Sequence, residues 1–402
     1  MAKKPVIRFN DFSDAWEEIE LNEVAERITR KNSNLESTLP LTISAQYGLV
    51  DQRDFFNAQI VGKDVSGYYL LKKGEFAYNK SYSSEYPFGT IKRLDKYEMG
   101  VLSTLYILFS HKNINSDFLL HYYDSSYWHN EITKIAAEGA RNHGLLNIAP
   151  EDFFNTKLKI TRNENEQKDI GLFFTQISLL IASTQEKLEK AIILKKSMLE
   201  KMFPKDKEKI PELRFKGFSG EWEEQKLGSF VIDYIEKNCS ELNYPVLTSS
   251  RQGIERQEEH FGKIQNHDTT DYNIIPAGYC AYRSRSDDFT FTFNINKLGY
   301  TGIISKYYPV FTFNNCNSYF ITEYLNNNDT IKKQITYVAT GTGQKVLSHD
   351  DFKNFNILIP DLKEQEMIGS FFESIDKLIT SYNDELIKLK TIKKSLLEKM
   401  FV

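Results

Sequence analysis

The feature that most constrains this chain is that it is written twice. The segment Pro5-Val-Ile-Arg-Phe-Asn-Asp-Phe-Ser-Asp-Ala-Trp-Glu-Glu-Ile-Glu-Leu21 returns as Pro211-Glu-Leu-Arg-Phe-Lys-Gly-Phe-Ser-Gly-Glu-Trp-Glu-Glu-Gln-Lys-Leu227, with nine of seventeen positions identical. Among them are Arg8/Arg214, Phe9/Phe215, Phe12/Phe218 and Trp16/Trp222. A longer match joins Asn165–Pro204 to Lys363–Val402 without gaps, with twenty identities in forty. It opens on Glu166-Gln167 and Glu364-Gln365 and closes on Leu199-Glu-Lys-Met-Phe203 and Leu397-Glu-Lys-Met-Phe401. Between these anchors the halves diverge, with echoes such as Ser44 to Gly48 against Ser249 to Gly253, and Gly74 to Tyr78 against Gly278 to Tyr282. A repeat of this length means two copies of one structural unit. One frame around two unlike bodies suggests two binding tasks in one geometry.

The repeated tails read as long helices. Over Glu166–Phe203, apolar residues fall at Ile170, Phe173, Phe174, Ile177, Leu180, Ile181, Leu188, Ile192, Leu199 and Met202, close to helical or heptad spacing. Pro204 stops the run. Glu364–Phe401 repeats the pattern through Ile368, Phe371, Phe372, Ile375, Leu378, Ile379, Leu386, Leu389, Ile392, Leu396 and Leu397. At 1.5 Å per residue each helix is about 55 Å long. An amphipathic helix of that length must bury its stripe, and its own copy is the obvious partner. The second body begins just after the first helix and ends just before the second. Parallel helices would set those points about 55 Å apart, against a diameter of roughly 40 Å for a domain of that size. Antiparallel helices put them side by side. The expected fold class is therefore α+β: two pseudo-two-fold related mixed α/β domains separated by an antiparallel pair of long helices, a coiled-coil spacer. The segments are 1–165 (first domain), 166–204 (first helix), 205–362 (second domain) and 363–402 (second helix).

Within the bodies, β-rich runs stand at Leu39–Ser44, Glu75–Asn79, Leu105–Phe109, Pro245–Thr248, Gly278–Tyr282, Phe289–Phe293, Ile303–Ser305 and Asn356–Ile359, and helices are expected at Asp117–Lys134 and Asn328–Val338. Trp16 and Trp222 are expected in the core, and Lys195-Lys196 and Lys393-Lys394 on a solvated face.

Composition excludes several classes. The longest apolar runs, such as Val101–Phe109, are too short to cross a bilayer. No signal-peptide core follows the first lysines. Cys239, Cys280 and Cys316 are scattered and odd in number, which suggests reduced, inert thiols in the cytoplasm and neither a disulfide frame nor a zinc site. A net charge of −4, from 51 Lys+Arg and 55 Asp+Glu, does not by itself suggest nucleic acid. A phosphate-gripping protein needs local positive charge, so a polarised surface is expected if DNA is the partner.

The lead-in Arg-Phe-x-x-Phe-Ser-x-x-Trp at 8–16 and 214–222, the approach Ile359-Pro-Asp-Leu-Lys-Glu-Gln365, and the Lys-Lys-Ser-x-Leu-Glu-Lys-Met-Phe ends at 195–203 and 393–401 carry a resemblance. Over essentially its full length the chain resembles the specificity subunit of a type I restriction–modification system. The resemblance implies that each body is a target recognition domain reading one half of a split, asymmetric DNA site, with the helices as a ruler. It implies two modification subunits that bind S-adenosylmethionine and methylate adenine N6. It also implies two restriction subunits that use ATP and Mg. No cofactor, metal or membrane is expected for this chain itself. The approach Lys159-Ile-Thr-Arg-Asn-Glu-Asn-Glu-Gln167 lacks the Pro found at Pro360, which leaves the first domain's exit strand in doubt.

Base readout calls for Arg and Lys toward guanine and Asn and Gln toward adenine, with hydroxyls and free backbone N–H groups on phosphates. In the first body the candidates are Ser44, Gln46, Tyr47 and Arg53; Asn79, Lys80 and Tyr82; and Arg141, Asn142 and His143. In the second they are Arg251, Gln252 and Arg256; Arg283, Ser284 and Arg285; and Thr342, Gln344 and Lys345. Each group adjoins a strand and has glycine nearby, which frees the backbone to approach a phosphate.

Catalytic signatures are missing. There is no Asn/Asp-Pro-Pro-Tyr/Phe motif, no Gly-x-x-x-x-Gly-Lys-Ser/Thr loop, no His-Glu-x-x-His and no Gly-x-Ser-x-Gly. The expectation is a non-catalytic, sequence-reading subunit. A stand-alone two-headed DNA-binding regulator and a protein-interaction scaffold remain as alternatives.

Overall fold

A computed structural model describes residues 4–44, 47–56, 64–136, 144–205, 208–238, 244–263 and 268–402. Gln46, Arg141, Asn142, His143 and Cys239 lie outside the described residues. The chain forms two compact units. Unit 1 is Met1–Gln185 with Asp384–Val402, and unit 2 is Glu186–Asn383. The packing thus cuts each long helix in two.

The long helices run Glu164–Met202 and Leu362–Met400. In unit 1 the start of the first helix meets the end of the second: Phe174 stacks on Phe401 with ring centroids 5.8 Å apart. In unit 2 the end of the first meets the start of the second: Phe203 stacks on Phe372, also at 5.8 Å. Helices pairing in the same direction would set Phe174 against Phe372 instead, because those positions align in the repeat. Each unit taken alone therefore shows the opposite-direction pairing that chain length demands.

The repeated residues build one socket in both units. Arg8 donates to both carboxylate oxygens of Glu166, at 2.6 and 2.8 Å, and to the Asp14 carbonyl at 2.7 Å. Arg214 does the same to Glu364, at 2.8 and 2.6 Å, and to the Gly220 carbonyl at 2.6 Å. Both glutamates are fully buried, so removing either arginine would strand a buried charge at a cost of about 3–5 kcal/mol. Gln167 donates to the Thr161 carbonyl and accepts from the Asn115 N–H; Gln365 donates to the Pro360 carbonyl and accepts from the Asn317 N–H. Asn115 and Asn317 in turn cap the helices Ser116–Asp124 and Ser318–Asn327 by accepting from Phe118 and Phe320. The glycine four residues past each glutamine lets the cap come close: a Cβ on Gly369 would lie 2.2 Å from Asn317 Oδ1, and one on Gly171 2.8 Å from the Phe118 nitrogen.

Each socket is closed by the tail of the other copy. Phe401 packs against Trp16, Phe118, Tyr122 and Phe174 in unit 1. Phe203 packs against Trp222, Phe320, Tyr324 and Phe372 in unit 2. The opening segment is pinned to the same tail, with Ile7 N–H donating to the Lys399 carbonyl and Leu213 N–H to the Lys201 carbonyl. Trp16 and Trp222 are core residues, as expected.

Lys195 and Lys393 correct the sequence reading. The solvated-face expectation fails for both because the bodies supply carboxylates. Lys195 pairs with Glu323 at 2.8 Å and Asp376 at 2.6 Å, and Lys393 with Asp124 at 2.9 Å. Burial alone would raise the Asp124 carboxyl, but Lys92, His121 and Lys393 hold it well below the usual range.

The bodies share a core sheet. In unit 1 four antiparallel strands run in the order Ala25–Ile28, Ile107–His111, Phe76–Asn79, Thr90–Arg93. Unit 2 repeats the order with Val231–Asp233, Val310–Phe313, Cys280–Ala281, Asn294–Ile295. The lead-in strand and the exit strand pair in both units, Glu17–Glu20 with Lys157–Ile160 and Glu223–Lys226 with Asn356–Ile359. The exit strand of the first body forms without the proline. Further strands differ: unit 1 has the hairpin Leu41–Ser44/Gly48–Asp51 and the pair Tyr69–Lys72/Met99–Leu102, whereas unit 2 has a second four-stranded sheet, Gly253–Arg256, Val246–Ser250, Gly302–Ile304, Asn273–Ile275.

Two element expectations fail. Asp117–Lys134 is two helices, Ser116–Asp124 and His129–Ile135, because Ser125 Oγ and N–H both turn back to the Tyr122 carbonyl and Trp128 Nε1 caps the Tyr123 carbonyl. Phe289–Phe293 is a loop, because Phe289 takes a φ of 62° and Asp288 Oδ1 accepts from the Thr290 N–H.

Candidate nucleic-acid interface

In unit 2 the three candidate groups meet. Ser250 to Gly253 forms the turn between the strands Val246–Ser250 and Gly253–Arg256, and leaves Arg251 and Gln252 exposed. Arg285–Ser286 pairs antiparallel with Lys345–Val346. That ladder places the Tyr282-to-Ser286 group beside the Gly341-to-Lys345 group. Asp287 and Asp288 then tie the groups together. Arg251 Nη2 donates to Asp288 Oδ2 at 2.5 Å, and Gln344 Nε2 to Asp287 Oδ1 at 3.1 Å.

Arg283 and Arg285 are presented rather than consumed. Arg283 is exposed and has no ion pair among the described residues. Arg285 lies with its guanidinium 4.3 Å from the centroid of the Tyr307 ring, a cation–π seat that leaves its N–H edge open. Ser284 donates to the Tyr307 carbonyl and fixes that strand. Lys345 lies over Phe289 and donates to the Gly341 carbonyl. Thr342 is exposed beside Gly341, whose φ of 127° favours glycine; a Cβ there would sit 2.1 Å from the Gln344 carbonyl oxygen. Arg256 differs. At the other end of its strand it is taken up by the Tyr300 hydroxyl at 3.1 Å and by Glu258.

Unit 1 brings fewer groups together. The strand end at Asn79 pairs with the segment that follows the third candidate group: Ser81 bridges Leu145, Tyr82 N–H donates to the Gly144 carbonyl, and Leu146 N–H to the Lys80 carbonyl. Asn79 Oδ1 accepts from the Ser81 N–H and shapes the turn. Lys80 Nζ donates to the Ile148 carbonyl, and burial pushes its ammonium pKa down. Tyr82 and Tyr47 are exposed. Ser44 is buried and accepts from the Tyr47 N–H, so it shapes the hairpin turn. Arg53 forms a two-pronged pair with Asp51, at 3.0 and 2.7 Å. Among the described residues, no hydrogen bond or ion pair joins the Ser44-to-Arg53 group to the Asn79-to-Tyr82 group.

Sequence reasoning missed Asp287, Asp288 and Tyr307. A search for cations passes over carboxylates, although the acidic pair directly after Arg283-Ser-Arg285-Ser was a usable signal. Tyr307 is separated from Arg285 by twenty-two positions and is found only once the sheet is built. No group of three or more His, Cys, Asp or Glu side chains that could hold a metal occurs among the described residues, and no helix among them is long and apolar enough to cross a membrane. Cys280 and Cys316 are buried, and burial pushes the Cys316 thiol up to about 12.

Residues 220–391 match the family model of the type I restriction modification DNA specificity domain. No curated protein matches the chain at a significant level. Among solved structures, the type I restriction–modification system S subunit from M. genitalium is similar with a TM-score of 0.66 at 14% identity, over 100% of this chain and 99% of that one. At such identity the likeness bears on the fold alone. A chain solved for complex assembly and conformational transition of the type I R-M system gives 0.45 at 16% identity, over 96% and 97%. The HsdS subunit from Thermoanaerobacter tengcongensis gives 0.40 at 15%, over 96% of each chain. The stretch 220–391 is thus similar to a type I restriction modification DNA specificity domain, and its frame is repeated in the first half of the chain.

Proposed function

We propose that the chain is the non-catalytic subunit that selects the DNA sequence for a type I restriction–modification assembly in the cytoplasm. Unit 1 reads one half of a split, asymmetric duplex site and unit 2 reads the other, with the paired helices fixing the gap. The observation that carries this reading is the contrast inside one molecule. The socket side chains match across the two units, while the polar loops Asn79 to Tyr82 and Arg283 to Ser286, which occupy the same place in the repeat, share no residue at matching positions. Two-headed readers of this kind recognise base clusters about one helical turn apart or multiples of it.

Adenine methylation from S-adenosylmethionine, and ATP- and Mg-dependent steps, fall to two modification and two restriction subunits. Leu179, Ile193 and Ile387 on the long helices are more than half exposed, which supports docking of partner chains along them.

The test is selection by the full chain from a randomised duplex library, followed by exchange of residues 1–165 for the first body of another family member. Two base clusters at a fixed gap are expected, and the exchange should rewrite one cluster only. Recovery of no preferred sequence, or a change in both clusters, would overturn the proposal.

A further inference from the structure

We infer that Asp288 is a positioning residue for base reading, which aims the Arg251 guanidinium at one base pair of the second half-site. The inference rests on the DNA-reading role proposed above.

Asp288 is fixed on one side and extended on the other. Its Oδ1 accepts from Ser286 Oγ and from the Thr290 N–H, both at 3.1 Å, and its own N–H donates to Ser286 Oγ at 3.3 Å. The turn so formed holds Oδ2 outward, where Arg251 Nη2 meets it. Arg251 and Thr290 together hold the Asp288 carboxyl down at about 2, so it is charged at any working pH. Arg251 uses one of its five N–H donors here and makes no other hydrogen bond among the described residues, so four remain for a ligand.

Fold stability does not account for this pair. Both side chains are more than half exposed, and exposed pairs contribute little. A carboxylate on a phosphate-facing surface also opposes binding to any DNA. What the carboxylate supplies is orientation. A free arginine samples many rotamers, whereas one anchored at an Nη presents a fixed fork, the geometry that pairs with guanine O6 and N7. The neighbouring carboxylate acts alike on Gln344 through Asp287. An arginine used only as a phosphate contact would need no such aim.

The test compares wild type, Asp288→Asn, Arg251→Ala and the double variant of the full chain, on the selected site, its single-base variants and unrelated duplex DNA. Asparagine keeps the Oδ1 acceptor for Ser286 and Thr290 and removes the charge facing Arg251. Asp288→Asn is expected to cost about tenfold in preference at one base position. Binding to unrelated DNA should stay unchanged or tighten. Arg251→Ala should lose the same position, and the double variant should lose nothing further. An unchanged profile, a loss spread evenly over all sequences, or a different affected position would overturn the inference. If Asp288→Asn does not fold, Arg251→Lys decides: it keeps the charge and loses the fork, so a loss at one position supports the inference and an even or absent loss defeats it. A wild-type chain that selects no sequence defeats the DNA reading itself, which separates the two failures.

Discussion

Truncation of one aromatic side chain at the far end of the chain should loosen the first body and spare the second. Phe401 is 1% exposed and touches Trp16, Phe118, Tyr122 and Phe174 at centroid distances of 5.3 to 6.0 Å. A buried Phe→Ala change costs about 3–5 kcal/mol, and four aromatic neighbours that cannot all collapse into the gap put this site in the upper part of that range. Phe401→Ala should therefore weaken unit 1 by about 4 kcal/mol. Amide exchange resolved along the chain is the right assay, because it reads opening region by region. Every 1.4 kcal/mol is a factor of ten, so the slowest amides of Ala25–Ile28, Phe76–Asn79 and Ile107–His111 should exchange by about two to three orders of magnitude faster. Those of Val310–Phe313 and Gly302–Ile304 should barely change. Phe203→Ala should give the mirror result. If Phe401→Ala instead loosens residues 205–362, or neither body, the exchange of tails between copies is wrong.

Gly369→Ala should destabilise unit 2 despite improving helix propensity. The added Cβ would meet Asn317 Oδ1 at 2.2 Å and displace the cap of Ser318–Asn327, so about 1–3 kcal/mol of overpacking and about 1 kcal/mol of lost cap outweigh a gain of roughly 1 kcal/mol; a neutral or raised denaturation midpoint would contradict the close crossing. Stability should also fall as pH drops from 7 to 5, because burial pushes the His121 pKa below its ordinary value against the pull of Asp124. The unfolded chain then takes up the proton first, so the contribution of neutral His121 is complete above about pH 6.5 and is lost below it. Asp124, held low, loses its contribution only well below that window. His121→Gln should flatten part of the slope, while His111, His129 and His349, also lowered by burial, keep the rest; an unchanged slope in denaturation midpoint against pH would exclude the assignment.

What the sequence made legible was whatever repeats or has a period. The two helices follow from apolar spacing, and their opposite directions follow from the size of the body between them. What stayed hidden depends on partners distant in the chain. Lys195 reads as a solvated lysine until Glu323 and Asp376 stand beside it. Phe289 sits in a run that alternates like a strand, and a side-chain acceptor at Asp288 turns it into a loop. The candidate surface was legible in part. Arg251, Arg283, Arg285, Gln344 and Lys345 do converge in unit 2, but the carboxylates that organise them were passed over because they carry the wrong sign for DNA.

The exchange of tails also explains why the frame repeats and the loops do not. Leu397 to Phe401 must fit a socket formed by Trp16, Phe118 and Phe174, while Leu199 to Phe203 must fit Trp222, Phe320 and Phe372. Each copy thus supplies a socket for the other's tail. A change in one tail is felt in the opposite body, and a change in one socket is felt by the opposite helix end. Neither copy of the frame is free to drift alone in packing terms, since a lost methylene in a filled core is felt directly. The loops carrying Arg283, Arg285 and Gln344 touch no such shared surface among the described residues. Apart from positions such as Gly341, they are constrained mainly by keeping the sheet edges paired, and freedom of that kind is what the proposed reading of half-sites would require.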